Sequence, residues 1–209
     1  MDIQFYGANA VRLSTKKASI LIDDNLSDLG QKSVSKAGDI AIFTMSSHGS
    51  PKAEAKVILD QPGEYEVSNT SIQGIPARAH IDEPGQHTAT MFKVVADDIR
   101  VAIVGHIYPE LTDKQLEDFG MIDILIIPVG GNGYTLDGIG ALKVIKKIDP
   151  KVIIPTHYDQ PGLQFPVPQQ PLADALKGLA MEPKEPVEKL KVKSGEFGEG
   201  TQLVVLQKP

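Results

Sequence analysis

The chain has 209 residues, 27 acidic and 21 basic side chains, a formal net charge of -6 and no cysteine. That length suits one domain with its own core. The charge argues against nucleic acid and anionic membrane as partners, and the missing thiols exclude disulfides, thiolate zinc sites and cysteine nucleophiles.

The first half reads as strands. Residues 3–6, 10–14 and 19–22 are short alternating or β-branched runs separated by Gly7-Ala8-Asn9 and Lys16-Lys17. Runs at 39–44, 56–59, 64–67 and 71–75 follow, broken by Gln61-Pro62-Gly63 and Ser68-Asn69. Residues 88–95 and 99–104 read as a hairpin across Asp97-Asp98, and no amphipathic helix is expected before residue 111.

The pattern then changes. Residues 111–119 read as a short helix with Thr112 as its N-cap. Residues 122–129 (IDILIIPV) read as a strand buried on both faces. Residues 136–148 give a helix with Ile139, Leu142, Val144, Ile145 and Ile148 inward and lysines outward. A buried strand at 151–155, a Pro-rich surface loop at 161–170, a helix at 171–179 and a strand at 201–206 complete the chain. Strands followed by alternating strands and helices imply an α/β sandwich in a single domain, 1–209. The N-terminus has no basic segment followed by an apolar run, and no stretch approaches the ~20 apolar residues of a membrane span, so a cytoplasmic protein is expected.

Gly130-Gly131-Asn132-Gly133 lies between a strand and a helix, where a phosphate could sit. It matches neither dinucleotide nor P-loop spacing and reads as a tight turn. No Gly-x-Ser-x-Gly elbow exists for a serine nucleophile. Of five histidines, His48, His80, His106 and His157 fall at or just beyond the C-terminal ends of expected strands, while His87 lies in a polar, solvated stretch. Strand ends gather at the functional face of an open α/β architecture, so these four imidazoles are candidates for a shared pocket, with Asp23 beside them.

Several segments carry a family resemblance: Phe5-Tyr6-Gly7-Ala8, residues 20–23, Gln61-Pro62-Gly63-Glu64-Tyr65-Glu66-Val67, residues 122–131 (IDILIIPVGG) and residues 152–158 (VIIPTHY). Over residues 1 to about 160 the chain resembles the metallo-β-lactamase superfamily, in particular its small ascorbate-lactonase-like zinc hydrolases. The resemblance implies a metallo-β-lactamase-type four-layer αββα sandwich with its site at one edge. It also implies a His-x-His-x-Asp-His loop plus a later His, Asp and His, which together hold two zinc ions.

Position by position, this sequence departs from that set. Ala8 stands where the subgroup has histidine. The metal loop reads Thr44-Met45-Ser46-Ser47-His48-Gly49-Ser50, with His48 on one ligand position after a one-residue shift. His106 replaces the later aspartate, His157 matches the last histidine and His80 the middle one. Ser, Met and Gly are poor or absent zinc ligands. The first expectation is therefore a catalytically degenerate hydrolase homologue that binds an unidentified small molecule or protein, with no cofactor. The alternative is a hydrolase with a rebuilt mononuclear site for zinc or another divalent metal on His80, His106 and His157, with Asp23 or Asp159 and His48 nearby. No catalytic residue is assigned, and a homo-oligomer stays open.

Overall fold

The computed structural model describes residues 1–46 and 54–209. Its first sheet comprises β1 (Asp2–Gly7), β2 (Ala10–Ser14), β3 (Ser19–Ile22), β4 (Ile40–Ile42), β5 (Val57–Leu59) and β12 (Leu190–Lys191), in the order β12-β1-β2-β3-β4-β5. The second comprises β6 (Gly63–Val67), β7 (Thr70–Ala77), β8 (Ala89–Ala96), β9 (Ile99–Ile103), β10 (Ile124–Pro128), β11 (Val152–Thr156) and β13 (Gln202–Leu203), in the order β13-β11-β10-β9-β8-β7-β6. The helices are α1 (Asp113–Phe119), α2 (Gly138–Ile148) and α3 (Leu172–Leu179). Two mixed sheets with few helices make the expected α/β sandwich.

Strand pattern decides what faces the core. In β1 the alternation buries Ile3 and Phe5 and leaves Asp2, Gln4 and Tyr6 half-buried on the other face. In β2 and β3, Val11, Leu13, Ile20 and Ile22 join the main core. The opposite side of the first sheet is covered by a short 3-10 turn, Leu26–Leu29, whose leucines pack with Ala8 and Ala10. β10 is buried along its whole length. Ile126 pairs with Ile103 on one side and Ile154 on the other. Ile126→Ala is expected to cost about 2–5 kcal/mol through lost transfer energy and a cavity, read by denaturant unfolding. A cost near zero would mean that β10 is not the central strand.

Two expectations change and one strand is added. Ile139 points outward and is 61% exposed. The reason is a backbone contact: Gly138 meets Gly178 so closely that an added Cβ would lie 2.4 Å from the Ala175 carbonyl. That contact turns Gly138, Ala141, Ile145 and Ile148 inward and Ile139 away. The terminal strand is only Gln202–Leu203, and beyond it Leu206 makes an isolated bridge to Val187. The edge strand β12 carries no clear sequence signal.

The Thr112 cap and the Asp97-Asp98 hairpin hold as read. Thr112 and Gln115 form a reciprocal capping box, and both aspartates take left-handed φ values. Among the described residues, no helix is long and apolar enough to cross a membrane. For the site, the important feature is direction. β3, β4 and β5 run parallel, as do β9, β10, β11 and β13. Their C-terminal ends meet at one edge.

Candidate functional site

Three loops leave that edge with functional side chains. Asp23 follows β3, Gly105-His106 follow β9, and His157 follows β11. Asp23 is fully buried, and its carboxylate accepts hydrogen bonds from the Thr44 backbone N at 2.6 Å and the Thr44 hydroxyl at 2.7 Å. Thr44 therefore ties β4 to the end of β3. Gly105, at φ +60, lies against Thr44 so tightly that a Cβ would sit 2.2 Å from its Oγ1. Only glycine lets the two sheets approach here.

The central observation is a pair. His106 Nε2 and His157 Nε2 lie 3.2 Å apart, and both rings are almost fully buried. His157 Nδ1 lies 3.0 Å from Gln169 Oε1. The Gln169 amide is oriented independently, because its Nε2 donates to the Val167 carbonyl at 2.6 Å. Its oxygen therefore faces the imidazole, and His157 Nδ1 must carry the proton that bonds it. In the neutral ring His157 Nε2 is then an acceptor whose lone pair faces His106. Either His106 Nε2–H donates to it, or a cation lies between two lone pairs.

Aromatic rings enclose the pair. Tyr134 stands edge-on to His106 at 5.1 Å between centroids and 5.9 Å from His157, and Phe165 lies 4.9 Å from His157. Burial, and then the negative charge of Asp23, push the Tyr134 hydroxyl above its ordinary pKa, so it stays protonated near neutral pH. The backbone is strained at the same edge. Ala8, Asp23 and His157 all take positive φ, at +49, +43 and +57. Each such residue costs about 1–3 kcal/mol and persists only where its surroundings over-determine it, a pattern that clusters at functional sites. His157 is held by its N–H to the Ala8 carbonyl at 2.7 Å, and Asp23 by its N–H to the Ile42 carbonyl at 2.8 Å.

His80 follows a different path. Its backbone N donates to the His106 carbonyl at 2.7 Å, but its ring packs on Tyr108 at 5.9 Å. It lines a groove of about 340 Å³ with Tyr108, Asn132, Thr135, Asp137 and Lys143. The expected trio of His80, His106 and His157 is thus not one ligand group. Among the described residues, no set of three His, Cys, Asp or Glu side chains is placed to hold a metal ion. The turn at Gly130–Gly133 forms part of the groove wall, and Asp137 caps the following helix through Gly140 N, which places negative charge where a phosphate would bind. Asp159 and His87 are exposed, and His48 lies outside the described residues.

Tyr134, Phe165 and Gln169 were not singled out from sequence. Tyr134 follows a glycine turn and Gln169 closes a Pro-rich loop, and neither position carries a motif. Gly130 gives a hint after the fact: a Cβ there would meet Gln169 Oε1 at 2.0 Å and the His157 carbonyl at 2.1 Å.

A two-sheet α/β sandwich with buried histidines at the gathered strand ends defines the class. The chain belongs to the beta-lactamase superfamily domain family, whose model matches residues 2–157. It is 27% identical to the UPF0173 metal-dependent hydrolase of Pyrococcus horikoshii over 143 residues, which is 65% of this chain and 62% of that protein. A Pyrococcus abyssi relative of the same name is 26% identical over the same shares. The match thus spans less than two thirds of these relatives. The chain is also similar to a crystal structure from Thermotoga maritima named as a Zn-dependent hydrolase of the metallo-β-lactamase superfamily. That likeness has 25% identity and a TM-score of 0.74, and covers 99% of this chain and 98% of that one. A protein from Parabacteroides distasonis named as a metal-dependent hydrolase superposes with a TM-score of 0.66 at 19% identity over 98% of this chain and 93% of that one, which speaks for the fold alone.

Proposed function

We propose that this chain is a metal-dependent hydrolase whose centre is reduced to a single divalent cation at His106 and His157. The observation that carries the reading is the facing pair of Nε2 atoms, 3.2 Å apart. Two nitrogens of one tetrahedral zinc ion, each bonded at ~2.0–2.1 Å, lie about 3.3 Å from one another. The family resemblance and the names of the relatives favour this over the degenerate binding protein.

Among the described residues the donors for two ions are not assembled: Ala8 and Met45 offer no zinc-competent side chain, and the Asp23 carboxylate accepts from Thr44. For one cation the donor chemistry does fit, with two neutral imidazoles, one of them oriented from behind by an amide oxygen. When bound, a divalent cation supplies Lewis acidity and makes water acidic enough to yield a nucleophile near neutral pH. The chain's own contribution is to bury the two rings, fix the tautomer of His157 and keep a protonated Tyr134 beside them as a hydrogen-bond donor. The adjoining groove at His80 and Tyr108 is the place for a small substrate.

A second reading, a metal-free hydrogen-bonded pair in a ligand-binding protein, is favoured by the lack of a third ligand among the described residues. Metal content separates the two. The chain purified without added metal and then loaded with zinc is expected to hold about one ion per chain, as a mononuclear site would. His157→Ala should lose that ion together with hydrolysis of ester and lactone substrates. Chelation should lower the melting temperature, because a ligand at 100 times its Kd stabilises by about 2.7 kcal/mol. A folded wild-type chain that binds no metal, with a melting temperature indifferent to chelator, would establish the second reading instead.

A further inference from the structure

We infer that Gln169 is a positioning residue: its side-chain carbonyl holds the His157 imidazole in the Nδ1–H tautomer and so aims the Nε2 lone pair at His106. The consequence for a bound cation rests on the proposed function. The tautomer itself does not, and the two can fail separately.

The geometry fixes every degree of freedom of this amide. Gln169 is almost fully buried, so water does not compete for its oxygen. Its Nε2 must face the Val167 carbonyl, which can only accept, so an inverted amide would place oxygen against oxygen. The segment that carries it is pinned on both sides of the turn. Gln170 N donates to the Gly130 carbonyl at 2.8 Å, the Gln170 amide donates to the Val129 carbonyl, and Asp159 N donates to the Gln170 carbonyl at 2.9 Å. The missing Cβ of Gly130 leaves room for Gln169 Oε1. The Pro-rich loop at 161–170 is therefore a device that delivers one carbonyl oxygen to one ring nitrogen.

A partner on the far nitrogen of a histidine decides which nitrogen stays unprotonated and how basic it is. Without Gln169 the neutral ring is free to carry its proton on Nε2, the form that free imidazole prefers. His157 Nε2 would then present an N–H to His106 in place of a lone pair, so the hydrogen bond between the rings would reverse and the pair could no longer offer two lone pairs to one cation. The substitution Gln169→Glu keeps an acceptor oxygen toward Nδ1 while setting its second oxygen against the Val167 carbonyl, whereas Gln169→Leu removes the acceptor at similar size.

The test uses the chelated, 15N-labelled chain and long-range proton–nitrogen spectra of the imidazoles at about pH 8, above the ordinary histidine range. His157 signals are assigned by their loss in His157→Asn. The wild type should show Nδ1–H at His157, Gln169→Leu should shift it to Nε2–H, and Gln169→Glu should keep Nδ1–H. Zinc affinity, read by competition with a chromophoric chelator on metal-free chains that circular dichroism shows to be folded, should fall about 10- to 100-fold in Gln169→Leu and less in Gln169→Glu, while both variants melt earlier than the wild type because a buried partner of Gln169 loses its bond. An Nε2–H wild type, or a Gln169→Leu spectrum identical to it, would overturn the inference. A tautomer shift in a chain that binds no zinc would uphold the role of Gln169 and remove the single-cation function. If Gln169→Leu does not fold, the wild-type and Gln169→Glu spectra decide.

Discussion

Gly105→Ala is expected to destabilise the protein by at least roughly 3 kcal/mol, the sum of backbone strain and a broken buried hydrogen-bond set. The residue is at φ +60, where a side chain costs about 1–2 kcal/mol before any contact is considered. The new Cβ would lie 2.2, 2.4 and 2.8 Å from Thr44 Oγ1, Cβ and Cγ2. Thr44 cannot swing aside. It is completely buried, its N–H and hydroxyl both donate to Asp23, and its carbonyl accepts from Thr90 N at 2.8 Å. Moving it takes two hydrogen bonds from a carboxylate in the core, which is the expensive outcome. Gly133→Ala is the matched control. It has φ +73 but nothing within 4 Å of the added atom, so it should cost only the strain of about 1 kcal/mol. Urea unfolding of both variants gives the comparison. Equal losses would mean that the close approach of Gly105 to Thr44 does not hold the edge together. Because His106 follows directly, the same variant should also weaken whatever the histidine pair binds.

Much of the architecture was legible because it rests on local pattern. The runs at 10–14 and 19–22 matched their strands, and the buried run ILIIP could be read as a central strand without knowing its neighbours. Ile139 misled because helical periodicity assigns a face from apolar residues, while here two glycines, Gly138 and Gly178, chose the face by allowing the backbones of α2 and α3 to touch. The C-terminal strand was overlong for a similar reason. Apolar character predicts burial, and Val204 to Leu206 are buried, but ladder pairing needs an aligned neighbour that β11 offers only at Gln202 and Leu203.

The site was legible in part. Histidines beyond strand ends pointed to the right edge. Their grouping was not in the sequence, since His106 and His157 are 51 residues apart and meet only because β9, β10 and β11 lie side by side in parallel. His80 lies beyond β7 in the same sheet, yet its ring went to Tyr108 rather than to the pair. Gln169 and Tyr134 depend on the course of two loops, and loop course follows from turn geometry and from contacts such as Gln170 to Gly130 that no local pattern encodes.

The second large effect lies under the outer face of the first sheet, where Asp39→Ala should cost about 3–5 kcal/mol, the range for breaking a buried pair from one side. Arg12 and Asp39 are 6% and 2% exposed at their side chains. Arg12 Nη1 donates to Asp39 Oδ1 at 2.5 Å and to Ser19 Oγ at 2.6 Å, and Nη2 donates to the Val34 carbonyl at 2.6 Å. Asp39 Oδ2 also accepts from Lys36 N at 2.8 Å, so the carboxylate fastens the segment between β3 and β4 as well as the guanidinium. An arginine cannot shed its proton to escape burial. Removing Asp39 therefore leaves a full buried charge facing the neutral Ser19 hydroxyl and Val34 carbonyl, with its carboxylate acceptor lost and the Lys36 N–H deprived of its bond to Asp39. The double variant Arg12→Met/Asp39→Ala removes the stranded charge and should be more stable than Asp39→Ala alone, a non-additivity that a double-mutant cycle measures. Salt gives an independent check. Raising ionic strength should leave the Arg12–Asp39 contribution nearly intact, since buried pairs are screened far less than exposed ones such as Lys114–Asp118. A loss below about 1 kcal/mol in Asp39→Ala, or one that vanishes in high salt, would place the pair among ordinary surface contacts. The effect should reach the site, because Asp39 immediately precedes β4 and Thr44 follows it. A strand released at its start holds Asp23 less firmly at its end.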